Sequence, residues 1–128
     1  MVTAALPYAN GPIHIGHLSG VYLSADIFVR FLRMLGKDVV FVCGSDEHGA
    51  AITIKAKKEG LEPQQIIDKY HAQFEDTFKK IGISFDIFHR TSSALHHETA
   101  QVFFLKLYKN GEFVERETEQ YLDRKSVV

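Results

Sequence analysis

Two histidines three residues apart, His14 and His17, sit in the uncharged run Pro7-Tyr8-Ala9-Asn10-Gly11-Pro12-Ile13-His14-Ile15-Gly16-His17. The run lies where a predicted strand turns into a predicted helix. One helical turn brings residues at this spacing to the same side, so their ring N–H groups can act together as directed hydrogen-bond donors. The helix start adds exposed backbone N–H groups and the positive end of a dipole, which together suit a phosphate or another anion. Gly16 between the two rings lets a flat ring or a phosphate approach closely. This is not a P-loop: GxxxxGK[ST] does not occur, and no Lys or Arg precedes Arg30. An H-x-x-H pair can bind a metal, but no third ligand follows at a suitable spacing, so no metal site is expected. The second candidate is Asp46, in the polar block Gly44-Ser45-Asp46-Glu47-His48-Gly49 just past an apolar run. A carboxylate there, facing an anion-binding loop, suits an ammonium group. Its competing role is to cap the helix that follows.

Elements with the right order exist to position both. Val2 to Leu6 reads as a short buried strand ended by Pro7, and Asn10-Gly11-Pro12 is turn chemistry. From Leu18, apolar residues at Val21, Tyr22, Ala25, Phe28, Val29, Leu32 and Leu35 keep helical register up to Gly36. Leu23, Ile27, Phe31 and Met34 add apolar residues on other faces, which predicts burial on more than one side. Val39 to Cys43 reads as a fully buried parallel strand. Ala50 to Glu59 is a short helix stopped by Gly60, and Pro63 opens a long amphipathic helix whose stripe from Ile66 to Ile81 is core. Phe85 to Arg90 is a third strand, and Ser92 or Ser93 caps a helix running to about Lys109. The order β-α-β-α-α-β-α predicts an open, mostly parallel α/β sheet covered by helices. Such sheets bind ligands beyond the carboxyl ends of their strands, which here means residues 6–18 and 44–49.

Composition narrows the function classes. In 128 residues, Lys plus Arg number 15 against 16 for Asp plus Glu, so no overall basic field advertises nucleic acid. Any nucleic acid must be met locally, and Lys55, Lys57 and Lys58 read most simply as a solvated helix face, with contact to a nucleic-acid backbone as the alternative. Cys43 is the one cysteine, which excludes an internal disulfide and a cysteine-cluster zinc site and favours a reducing, cytoplasmic setting. No apolar run approaches the ~20 residues that cross a bilayer, and no signal peptide is visible. His71, His89, His96 and His97 read as surface or partly buried histidines. After Gly111 the periodicity is lost: eight of the fourteen residues from Glu112 to Lys125 are charged.

The run from Leu6 to His17 resembles the HIGH signature of class I aminoacyl-tRNA synthetases in its fullest form. The block Val42-Cys43-Gly44-Ser45-Asp46-Glu47-His48-Gly49 is similar to the matching segment of the methionyl-tRNA synthetase family. The leucine, isoleucine and valine families usually carry a tryptophan-containing version, and this chain has no tryptophan. The resemblance implies an α/β fold, the first half of a Rossmann-like (HUP-type) nucleotide-binding parallel sheet flanked by helices. It implies that His14 and His17 contact the ATP phosphates and stabilise the transition state, with Tyr8, Asn10, Gly11 and Gly16 completing the ATP site. Asp46 is implied to hold the ammonium group of methionine, with Leu6 and Tyr8 lining the side-chain pocket. Glu47 and His48 are further candidates; His48 either orients the loop through a backbone hydrogen bond or touches the ribose. The implied reaction uses ATP with Mg2+ to activate methionine and then transfers it to tRNA(Met), with no membrane and no DNA involved.

Departures from the family pattern matter as well. The KMSKS signature, the second half of the nucleotide fold, the zinc knuckle and the anticodon-binding helices are absent, so zinc is expected only in a longer chain. The expectation is an N-terminal fragment of a ligase: residues 1–111 the first half of the catalytic domain, 112–128 the start of an inserted connective segment. Asp123 to Val128 do not resemble the expected continuation. Two rival readings follow. One is another HIGH-type nucleotidyl transferase, such as a pantothenate synthetase or an adenylyltransferase, which the Ser45–Gly49 block argues against. The other is a non-catalytic module that binds ATP or methionine.

Overall fold

The computed structural model describes residues 1–117. Three parallel strands, β1 (Val2–Thr3), β2 (Phe41–Ser45) and β3 (Ile87–Arg90), lie side by side in that order. Val2 opposes Phe41, and Val42 to Ser45 oppose Ile87 to Arg90. All three expected strands are present, with shifted ends. β2 runs two residues further than its apolar stretch, through Gly44 and Ser45. Gly44 makes this extension possible: a β-carbon there would stand 2.7 Å from the His89 carbonyl oxygen on the neighbouring strand. β1 leaves the ladder after Thr3, and the chain returns to it as a single bridge between Tyr8 and Asp46.

Parallel strands require long crossovers. The first is one helical rod in three parts: α1 (Ile15–His17), a π-helical turn (Leu18–Tyr22) and α2 (Leu23–Met34). Its backbone stays right-handed at both joints, with Leu18 at φ −63°, ψ −51° and Leu23 at φ −65°, ψ −41°. The rod begins three residues before the expected start, because His14 caps it. In the widened turn the Ser24 hydroxyl donates to the Ser19 carbonyl over 3.1 Å. Leu18, Tyr22 and Val29 are buried, and so is Asp26, only 5% exposed. Of the other apolar positions only Leu23 packs against the core; Ile27, Phe31 and Met34 are 66%, 54% and 85% exposed. Within the unit formed by residues 1–92, the sheet lies against one side of the rod and no second layer meets the other.

The second crossover is α3 (Ala50–Glu59) followed by α4 (Pro63–Ile81). Both end at the expected glycines, Gly60 and Gly82, in the left-handed conformation that glycine adopts without a β-carbon clash. The stripe Ile66, Ile67, Tyr70, Phe74 and Phe78 is buried as the periodicity requires, with Ile81 left at the exposed end. The Phe78 ring meets Tyr22 edge-on at 4.7 Å and Phe85 and Phe88 at 5.3 and 5.2 Å. These rings join both crossovers to the sheet, each contributing a large buried area.

Polar ties fix the same elements. Asp26 accepts from the Ser84 N–H and hydroxyl, both at 2.6 Å, and from Arg30 at 2.6 Å. Arg33 donates to Asp86 over 2.7 Å, and the same Asp86 oxygen accepts the Phe41 N–H. The first crossover is thereby pinned to the segment that leads into β3.

The contacts divide the chain after Ser92, and everything above lies in the unit Met1–Ser92. The second unit begins at Ser93, whose hydroxyl accepts the His96 N–H over 3.3 Å and caps α5 (Ala94–Lys109), as expected. Phe104 and Phe113 stack at 4.9 Å within it. The expected features of residues 118–128, including Asp123 to Val128, lie outside the described residues. No helix among the described residues is long and apolar enough to cross a membrane.

Candidate functional site at the strand ends

His14 is the N-cap of the first crossover, in extended conformation at φ −125°, ψ 171°. Its Nδ1 accepts the Gly16 N–H over 3.1 Å, while His17 Nδ1 accepts the His14 N–H over 3.3 Å. This is a capping box built from two imidazoles, each satisfying a helix-start N–H that has no partner within the helix. The arrangement has a chemical consequence. A neutral imidazole that accepts at Nδ1 carries its proton at Nε2, so both rings keep an Nε2–H donor. The rings stand 3.8 Å apart, tilted 33°, and both residues are exposed. Gly16 makes room for the His14 ring itself, since a β-carbon there would lie 3.0 Å from His14 Cε1.

Tyr8 and Asp46 meet as the isolated bridge beyond β1 and β2. The Asp46 N–H donates to the Pro7 carbonyl and the Ala9 N–H donates to the Asp46 carbonyl, each at 2.8 Å. Opposed residues of a parallel pair project to the same side of the sheet, so Tyr8 and Asp46 share a face. Asp46 is half-buried, and the His48 N–H approaches its Oδ1 at 3.5 Å. His48 donates Nε2–H to the Thr91 carbonyl over 3.2 Å.

A cleft of about 110 Å³ opens beside the bridge, lined by Pro7, Tyr8, Asn10, Gly11, Pro12, Ile13, His17 and Phe74. Tyr8, Asn10, Gly11 and His17, all sequence candidates, therefore share one wall system. His14 and Gly16 adjoin it through the capping box, Asp46 through the bridge, and Leu6 is about half exposed nearby in the chain. Lys55 departs from the solvated-face reading. It donates to the Asn10 carbonyl over 2.8 Å and stands 4.6 Å over the Tyr70 ring, tethering α3 to the turn before His14.

Sequence reasoning missed a second constellation. Ser45 and Glu47 alternate to the face opposite Asp46, as strand periodicity demands, and both are buried. Glu47 Oε1 accepts from Ser45 at 2.7 Å, and both of its oxygens accept from Arg90 at 2.9 Å. Arg90 also donates to Asp68 of α4 at 2.6 Å, and His71 of α4 bonds Ser45 at 2.7 Å. Burial, with Arg90 nearby, holds the His71 imidazole below its usual range. The signal was present in outline: an acid after the end of β2 and an arginine ending β3, the strands' neighbouring tips.

Comparison with known proteins agrees with this architecture. The family model described as tRNA synthetases class I (M) matches residues 1–127, a span that includes Asp123 to Val127, where the sequence alone showed no family pattern. The methionine–tRNA ligases of Cytophaga hutchinsonii and Bacteroides fragilis are 60% and 59% identical over 125 residues, 98% of this chain. The chain spans 18% of the length of each. The Mycobacterium tuberculosis methionyl-tRNA synthetase in complex with methionyl-adenylate superimposes with a TM-score of 0.82 at 32% identity, over 85% of this chain and 21% of that one. The parallel sheet, the HIGH-bearing helix start and the near-complete family match together place this chain in the class I tRNA synthetase (M) family.

Proposed function

We propose that this chain supplies the first half of the catalytic domain of a methionine–tRNA ligase, with residues 1–111 in that half and 112–128 opening an inserted segment. The observation that carries the reading is the Tyr8–Asp46 bridge, which brings an acid beside the turn that bears His14 and His17. Methionine's ammonium group sits against Asp46, and its side chain lies between Leu6 and Tyr8. Its carboxylate oxygen attacks the α-phosphorus of ATP, the bond to pyrophosphate breaks, and methionyl-adenylate forms. The Nε2–H donors of His14 and His17 meet the phosphoryl oxygens where charge develops; Asn10, Gly11 and Gly16 shape the nucleotide side. Catalysis of this kind is alignment plus electrostatic stabilisation, with no covalent enzyme intermediate. A ribose hydroxyl of the terminal adenosine of tRNA(Met) then takes the aminoacyl group as the acyl–phosphate bond breaks and AMP leaves, in the cytoplasm, with Mg2+ accompanying ATP.

Methionine-dependent exchange of pyrophosphate into ATP tests the reading, run on this half joined to the KMSKS-bearing second half of a ligase, with leucine, isoleucine, valine and cysteine as controls. Exchange with methionine alone is the expected result. Exchange with another amino acid refutes the Asp46 assignment, and methionine binding without exchange reduces the chain to a binding module.

A further inference from the structure

Glu47 carries a carboxylate with no exposed surface, one residue from the acid that the proposed function uses. Its oxygens accept from Ser45, from Arg90 and from the Ser92 hydroxyl, and its N–H donates to the Thr91 hydroxyl over 2.9 Å. The Thr91 N–H returns a bond to the Ser45 carbonyl at 3.1 Å. Residues 90–92, at the end of β3, therefore grip the chain on both sides of Asp46. Arg90 is anchored in turn by Asp68, and His71 lies 3.6 Å from Glu47 Oε1.

Asp46 itself is held differently. Its backbone pairs with Pro7 and Ala9 on the other flank, and among the described residues no cation stands within ion-pair distance of its carboxylate. The contrast between the adjacent acids is complete: one is buried and neutralised by an arginine, the other is half-buried and open to a ligand. A buried carboxylate is tolerated only when paired and hydrogen-bonded, so the clamp closes in one geometry. Fixing Glu47 in one geometry fixes the peptide that joins it to Asp46.

We propose that Glu47 is a positioning residue: locked by Arg90, Ser92 and Ser45, it sets the aim of Asp46 toward the ammonium group of the bound amino acid. This rests on the reading of Asp46 as the ammonium partner. Displacements of about 1 Å at such a group are enough to weaken a substrate interaction by one to two orders of magnitude.

The test uses the 128-residue chain, with Glu47→Gln and the milder Ser92→Ala, which leaves the Glu47–Arg90 pair intact. Two readouts are taken: amide hydrogen exchange at Asp46 and Ala9, and the separate dissociation constants for methionine and for ATP. In Glu47→Gln both amides exchange about tenfold faster while the helices keep their protection. The methionine constant rises about tenfold and the ATP constant stays within about twofold. Ser92→Ala moves both readouts the same way by a few-fold, and decides alone if Glu47→Gln fails to fold. Unchanged exchange at the two amides overturns the proposal. So does acceleration spread evenly over the chain, or a rise of both constants together, since each marks general loosening. If Asp46→Ala binds methionine as tightly as the wild-type chain while the exchange pattern is as expected, the Asp46 assignment is refuted and the clamp upheld.

Discussion

The Tyr8 hydroxyl occupies the position that a β-carbon on Gly49 would need. Gly49 also has a φ of +132°, a conformation that L side chains rarely adopt. Gly49→Ala therefore meets both backbone strain and a steric conflict, and is expected to destabilise the chain by about 1–3 kcal/mol. Tyr8→Phe removes the atom that conflicts. Urea denaturation of the two single variants and the double variant should show a favourable coupling of at least about 0.5 kcal/mol. Strict additivity would mean that the hydroxyl is not the obstacle.

The two-histidine capping box predicts a double penalty. His14→Ala and His17→Ala each remove an acceptor at the helix start, which costs about 1 kcal/mol of stability. Each also removes a donor from the candidate phosphate site, for which methionine-dependent pyrophosphate exchange is expected to fall about 10²–10³-fold. Exchange within twofold of wild type in both variants would end the catalytic assignment while leaving the capping role intact.

Asp26 makes stability pH-dependent. Burial opposes its charge, but hydrogen bonds from Ser84 and Arg30 outweigh that and hold the carboxyl below its usual value. A depressed folded-state pKa means that the unfolded chain binds the proton more readily, so the contribution is present above about pH 4 and lost as pH falls further. Asp26→Ala is expected to cost about 2–3 kcal/mol at pH 7, and to flatten the acid side of the stability profile. An acid limb as steep as that of wild type would assign the effect to other carboxylates.

Lys55→Met keeps the stem beside Tyr70 but deletes the hydrogen bond to the Asn10 carbonyl. The turn before His14 should loosen, with faster amide exchange at Asn10 and Gly11 and a few-fold weaker ATP affinity. Methionine affinity is expected to hold. Equal loss for both ligands would show that Lys55 supports the cleft as a whole.

What could be read in advance follows from what the chain repeats. Period-3.6 burial on α4, glycine stops at Gly60 and Gly82 and the Ser93 cap are local patterns, and each stands where the sequence puts it. The candidate residues around His14, Tyr8 and Asp46 were legible because they are contiguous runs placed at strand ends. The partners of Asp26, Lys55 and Glu47 were not. Each takes its role from partners distant in sequence: Ser84 for Asp26, Asn10 for Lys55, Arg90 and Ser92 for Glu47. A buried aspartate inside an amphipathic helix reads as a surface residue until the loop that satisfies it is in place. The π-helical turn was likewise invisible, because Leu18 and Tyr22 fit an ordinary helical spacing.

The alternation along residues 45–47 turns two chemically similar acids into opposites by parity alone. Asp46 is even and faces Tyr8; Glu47 is odd and meets Arg90. Net charge, local composition and hydropathy would all survive a one-residue slip of this segment, yet the open acid and the neutralised acid would trade faces. Exchanging the pair, Asp46→Glu with Glu47→Asp, is equally silent in composition, but it shortens the arm that reaches Arg90 and lengthens the one beside the cleft. What this stretch does thus depends on phase, and a catalogue of residue types would miss it.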